Sequence, residues 1–218
     1  MKEKQKMKEK VKEFIVKNLK WIILFICLIG FLAIAEDVFN KEIMNGDIIG
    51  YKLISTFLIS DFATPIAKFI TNFGGAIFLA VLTIVLFILI KNKKIGVSIF
   101  SNLVIITALN QLLKNILQRP RPTEYRIIEE TGYSFPSGHS MISMAFYGYI
   151  IYLIYKYVKN KYIKWISIVL LSILICSIGI SRIYLGVHYT SDVLGGFLIS
   201  VSYLVIYISA VNKFLIEK

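Results

Sequence analysis

The chain has two histidines, His139 and His188, and each lies among residues suited to handling a phosphate. His188 and Asp192 are spaced i, i+4, so on a helix they face the same way. The carboxylate can then accept from one imidazole nitrogen, which fixes the tautomer and leaves the other nitrogen to attack as a nucleophile. Asp192 also suits a cap at the start of its helix, beside Thr190 and Ser191. His139 closes the run Pro136-Ser137-Gly138-His139, directly ahead of an apolar stretch that predicts a helix. A helix start presents unpaired N–H groups and the positive end of the dipole to an anion. There Gly138 permits close backbone approach, Ser137 adds a hydroxyl, and His139 is placed to protonate a leaving oxygen. Lys114, Arg121 and Arg182 are cations that could surround the equatorial oxygens of a phosphoryl group, where transition-state charge collects. Asn110 and Gln111, one turn before Lys114, read as polar packing or as supporting partners of the site, and Arg119 and Arg126 as charges that reach the interface or touch substrate.

These residues have to be positioned by apolar segments. Hydrophobic residues make up 57% of the chain and charged residues 17%, with a mean hydropathy of +0.72. Soluble domains hold about 45–50% apolar and about 25% charged residues, so the composition is that of a membrane protein. Apolar runs over 21–39, 73–90, 95–117, 141–157, 165–180 and 193–211 predict six spanning helices in an all-α bundle. Residues 51–71, interrupted by Asp61, Pro65 and Lys68, read as an interfacial helix or a lead-in to the second span. One membrane-embedded domain over 21–218 follows, preceded by a basic segment, 1–20. The small residues Ala33-Ile34-Ala35 behind that segment have the look of a signal-peptide cleavage site, but the long basic region and the apolar continuation to Phe39 favour a retained first span. Cys27 and Cys176 fall within predicted spans as packing residues.

The net charge of +12 is unevenly placed. With the N-terminus inside, 17 of the 25 basic residues fall in inner segments, among them the lysines of 1–20, Lys91, Lys93, Lys94, Lys156, Lys159, Lys161, Lys164, Lys213 and Lys218. That agrees with the positive-inside rule and puts both termini in the cytoplasm. Nucleic-acid binding is disfavoured because the lysines alternate with glutamates and have no folded surface to present them. The same topology brings Lys114, the 118–135 loop, the start of the fourth span, Arg182, His188 and Asp192 to the outer face. No Walker loop, HExxH or paired-aspartate motif is present, so phosphoryl transfer here would proceed without a metal or other cofactor, with Lys and Arg in the cation's place.

The spacing Lys114…Arg121-Pro122, Pro136-Ser137-Gly138-His139, Ser181-Arg182…His188…Asp192 resembles the three-part signature of the type 2 phosphatidic acid phosphatase superfamily, with every position filled. The resemblance implies His188 as nucleophile, Asp192 as its orienting carboxylate and His139 as acid. It also implies phosphate binding by Lys114, Arg121, Ser137, Gly138 and Arg182. The six-span form with an outward site is similar to bacterial lipid phosphatases, so a lipid phosphate or pyrophosphate is the implied substrate and the bilayer the implied partner, with no obligate protein partner. A lipid-linked phosphotransferase, or a phosphatase of a non-lipid phosphate, remains open on the same site. An anion transporter is disfavoured because transport sites lie near the midplane on broken helices, whereas these ionisable groups gather at one end.

Overall fold

The computed structural model describes residues 2–42 and 44–216, all helix and loop with no strand among them; Lys218 of the basic tail lies outside them. The helices are α1 (Lys2–Phe39), α2 (Asn45–Phe57), α3 (Ala63–Asn72), α4 (Ala76–Leu89), α5 (Lys93–Leu117), α6 (Gly138–Tyr157), α7 (Lys161–Tyr184) and α8 (Thr190–Val211), closed by a π-helical turn, Asn212–Ile216. The basic start and the first apolar segment form one continuous helix. Side chains cap two of the helices: Asn92 accepts from Lys94 N at the start of α5, and Asn160 from Ile163 N at the start of α7.

α6 is the central helix, packed against α5, α7 and α8, while α1 lies along α8, α4 along α5 and α3 along α7. α2 touches both α7 and α8. The core gathers Leu79, Ile99, Phe146, Tyr149 and Ile178, each nearly inaccessible. Several polar groups inside this core are paired, as when Tyr149 donates to Ser98 Oγ at 2.7 Å and Ser101 meets the Tyr207 hydroxyl at 2.7 Å, while the buried Asn102 side chain has no partner among the described residues. The outside is inverted relative to a water-soluble protein, with Phe25, Ile26, Ile29, Phe62, Ile77, Ile88, Ile166 and Leu170 all exposed. Burying one such side chain is worth roughly 1.5–3 kcal/mol. A surface of this kind is stable only where hydrocarbon covers it.

Four helical stretches are each long and apolar enough to cross a membrane: Lys17–Phe39, Lys93–Leu117, Lys161–Tyr184 and Thr190–Leu215. α3 and α4, bent by 50° at their junction, make a fifth only if the pair is taken as one broken span rather than a re-entrant loop. The expected fourth span, α6, is not among them, although it runs for 20 residues. The reason is its environment. It carries His139, Ser140, Ser143 and five tyrosines, and of these Ser140, Ser143, Tyr147 and Tyr149 are buried against other helices, while Tyr155 and Tyr157 are exposed. The 51–71 stretch also differs from a single interfacial helix: it is divided between α2 and α3, and α3 leads into α4. Cys27 is half-buried and Cys176 exposed, so neither is a core packing residue.

Candidate active site

Four helix ends and one loop converge. α5 contributes Lys114 in its last turn, α6 begins at Gly138-His139, α7 ends beyond Arg182, and α8 begins two residues before Asp192. α5 stops because Gln118 adopts a left-handed conformation (φ 45°), its N–H bonding back to Lys114 O at 2.9 Å. The chain then turns through Arg119-Pro120-Arg121-Pro122 into the 118–137 loop, which carries much of the site.

His188 is 3% exposed and lies in the short α7–α8 connection. Its Nδ1 stands 3.2 Å from Asp192 Oδ2 and 3.2 Å from Ser134 Oγ, and its Nε2 stands 3.0 Å from Arg121 Nη1. A guanidinium can only donate, so Nε2 holds the lone pair and Nδ1 carries the proton toward Asp192. Burial pushes the imidazole down to about 4; Asp192 raises it, while Arg121 and Arg182 lower it further. Asp192 is fully buried and makes both of the contacts read from its position. Its Oδ2 accepts from His188, from Ser134 Oγ and from Tyr189 N at 2.8 Å, the last being a cap on α8.

The three cations surround this pair. Lys114, nearly buried, donates to the carbonyl oxygens of Tyr133 and Ser134. Arg121 reaches Gly132 O, Thr131 O and Val187 O, each at 3.0 Å. Arg182, 1% exposed, donates to Thr71 Oγ1 at 2.7 Å and to the Glu130 carboxylate. Glu130 is held below the usual carboxylate range: burial would raise it, but Arg182 and Arg121 outweigh burial. His139 is half-buried in the first turn of α6, against the α3–α4 bend, where a Cβ on Gly74 would come 3.2 Å from its Cδ2. It shares this end of the bundle with Arg182, His188, Arg121 and Lys114.

Ser137 is inaccessible, with its Oγ accepting from Ser140 Oγ at 3.0 Å and from Ser140 N at 3.5 Å as the cap of α6. Gly138 lies where α5 crosses, and a Cβ there would stand 3.1 Å from Asn110 Oδ1. Asn110 is buried and donates to Pro136 O at 3.2 Å, while its neighbour Gln111 is exposed. Arg119 is the main departure from the sequence reading. It is no interfacial charge: it donates to Asp192 Oδ1 and Asp47 Oδ2, both at 2.7 Å. Asp47, Thr71, Glu130 and Ser134 also escaped the sequence reading. None of them forms a spacing pattern with its partner, since Asp47 meets Ser191 across 144 residues and Arg182 meets Thr71 across 111. Among the described residues, no group of three His, Cys, Asp or Glu side chains is placed to hold a metal ion.

A family model described as PAP2 superfamily matches residues 94–216. A phosphatidylglycerophosphatase B from Bacillus subtilis is 40% identical over 90 residues, 41% of this chain and 44% of that protein, so the match spans less than half of this relative. An undecaprenyl-diphosphatase from Sulfolobus acidocaldarius is 27% identical over 191 residues, 82% of this chain and 84% of the relative. A crystal structure of a transmembrane PAP2-type phosphatidylglycerolphosphate phosphatase from Bacillus subtilis superposes with a TM-score of 0.76 at 26% identity, covering 88% of this chain and 96% of the other.

Proposed function

The chain belongs to the PAP2 superfamily, and from that membership we propose that it is an integral membrane phosphatase hydrolysing lipid phosphates or diphosphates through a phosphohistidine. The observation that carries this reading is the His188 imidazole, held on Nδ1 by Asp192 and facing Arg121 with Nε2. Nε2 attacks phosphorus as the bond to the lipid oxygen breaks. His139 donates a proton to that leaving oxygen, and Asp192 stabilises the imidazolium. The deprotonated His139 then takes a proton from water, which attacks the phosphohistidine and releases inorganic phosphate with His188 restored. Lys114, Arg121 and Arg182 neutralise the equatorial oxygens, and the N–H groups at Gly138 and His139 offer the helix-start donors. Two further donors support an anion here: Ser143 Oγ, one turn after His139, and Arg182 Nε are buried without a partner among the described residues.

Six crossings with the site outside form part of the same proposal. α6 starts at the end of the bundle where α5 and α7 finish, so it runs antiparallel between two spanning helices, and its 20 residues give about 30 Å. The lysines concentrated toward the opposite end support cytoplasmic termini and an outward site. The phosphatidylglycerophosphate and undecaprenyl-diphosphate named for the relatives define the substrates to compare, together with phosphatidate. Phosphate release from these three in proteoliposomes, measured side by side, tests the reading; release from none of them, alongside turnover of a soluble phosphate ester, would replace it.

Turnover is expected to survive EDTA and to be blocked by vanadate, which adopts the five-coordinate geometry of phosphoryl transfer. A strict magnesium requirement would refute the role given to Lys114, Arg121 and Arg182. The rate should also fall on the acid side of its pH profile. Because the His188 pKa is lowered, the neutral nucleophile prevails above about 4 and is lost below it. A flat profile down to pH ~3 would count against His188 as the attacking group.

A further inference from the structure

We propose that Arg119 and Asp47 are a positioning pair that fixes the orientation and effective charge of Asp192, and through it the nucleophilicity of His188. The inference rests on the reading of His188 given above. Asp192 Oδ2 has three donors, whereas Oδ1 accepts from Arg119 Nη1 at 2.7 Å. Arg119 is therefore the contact that stops the carboxylate from turning about its own axis. Its other terminal nitrogen, Nη2, is 2.7 Å from Asp47 Oδ2, Nη1 also reaches Ser191 Oγ at 2.7 Å, and the guanidinium lies 4.1 Å from the Tyr189 ring centroid. With both terminal nitrogens committed to carboxylates and a stacked plane, Arg119 orients rather than binds phosphate. Its backbone adds a second tie, because Arg119 O accepts from Ser134 N at 2.8 Å, and Ser134 in turn touches His188 and Asp192.

Asp47 brings α2 into the site. It is 7% exposed, and it accepts from Ser191 N at 2.8 Å through Oδ1 and from Ser191 Oγ at 2.9 Å through Oδ2. It thereby holds the first turn of α8, the turn that carries Asp192. It lies outside residues 94–216, so a segment beyond the family match sets the catalytic carboxylate. Its charge matters as well. A single arginine divided between two buried carboxylates leaves Asp192 negative enough to stabilise a His188 imidazolium. An arginine given wholly to Asp192 would not.

The two residues should therefore move the acid limb of the rate profile in opposite directions. In Arg119→Gln a positive charge is lost, the imidazolium is favoured, and the limb moves to higher pH by about half to one unit. In Asp47→Asn a negative charge is lost and the limb moves to lower pH. The other groups that face His188 are unchanged in both variants: Asp192 on α8, Arg182 on α7, His139 on α6, Lys114 on α5, and Arg121, Ser134 and Glu130 on the loop.

The full chain in proteoliposomes, with dioctanoyl phosphatidate as substrate and inorganic vanadate as inhibitor, provides the test. For Arg119→Gln, kcat is expected to fall about 10- to 100-fold, short of the ~10⁴-fold seen when a triad carboxylate itself is disabled. KM and the vanadate inhibition constant should stay within about threefold, since phosphate contacts are untouched. Arg119→Lys should recover part of kcat, and the Asp47→Asn/Arg119→Gln double variant should be no worse than Arg119→Gln alone. A pH profile normalised to its own maximum does not depend on how much protein has folded, so the acid limb of Asp47→Asn, moved to lower pH, decides the matter even if Arg119→Gln folds poorly. Unmoved limbs in both variants, or a raised KM with unchanged kcat, would overturn the proposal. If His188→Ala is inactive while these limbs stay put, only the positioning role fails. If His188→Ala turns over normally, the nucleophile assignment fails first.

Discussion

His188→Ala is expected to lower the turnover of lipid phosphates by at least about 10⁴-fold, while membrane insertion and thermal unfolding stay close to wild type. The size follows from the loss of a covalent route, since disabling the nucleophile of a catalytic unit costs about as much as removing the whole unit. Ser134, the nearest hydroxyl, cannot substitute, because its Oγ donates to the Asp192 carboxylate, far too weak a base to take its proton. The fold should tolerate the change. Asp192 keeps Arg119, Tyr189 N and Ser134 as donors, so its buried carboxylate remains compensated without the imidazole. Brief exposure to ³²P-labelled substrate followed by alkaline quench should trap label on the wild type and none on the variant. Label in both, or near-normal phosphate release from the variant, would remove His188 from the mechanism.

The site was legible in the sequence to the extent that helix ends were legible. Lys114, His139, Arg182 and Asp192 each sit at the edge of an apolar run, and alternating crossings send such edges to one end of a bundle. The i, i+4 pair His188–Asp192 also needed no more than local geometry. What escaped depended on contacts between remote segments. Asp47 and Arg119 were indistinguishable from surface charges until α2 was seen packed across the start of α8. Glu130 lies in a loop without periodicity, yet its carboxylate is what Arg182 meets. α6 misleads hydropathy for a related reason: a helix enclosed by three others can carry tyrosines, serines and a histidine where a lipid-facing helix cannot. The join between α2 and α3 makes contacts that no apolar count records, such as Thr64 and Ser60 meeting the Tyr184 hydroxyl of α7.

Gly186→Ala should be the most damaging change among positions that carry no functional group. Gly186 has φ +69°, and a Cβ built on it would lie 2.1 Å from Tyr125 O, 2.6 Å from Tyr125 C and 3.0 Å from Arg126 Cα. The left-handed conformation alone costs an alanine about 1–2 kcal/mol. The overlap is with backbone, so no rotamer change can relieve it. Either the 125–127 stretch or the 185–188 turn has to move. Those two stretches are joined by Ile127 N to Leu185 O at 3.0 Å, and the turn holds Val187 N to Arg182 O at 3.2 Å and Val187 O to Arg121 at 3.0 Å. Shifting the turn therefore displaces His188 from Arg121 and Asp192 together. A misplacement of about 1 Å at reacting groups can cost about 100-fold, so kcat should fall by at least that much, with a lower Tm. Gly46→Ala is the control, because a Cβ there meets nothing within 4 Å and alanine is the better helix former by about 1 kcal/mol. That variant should keep wild-type turnover and an equal or higher Tm. Wild-type kcat and Tm in Gly186→Ala would mean that the turn does not hold His188 in place.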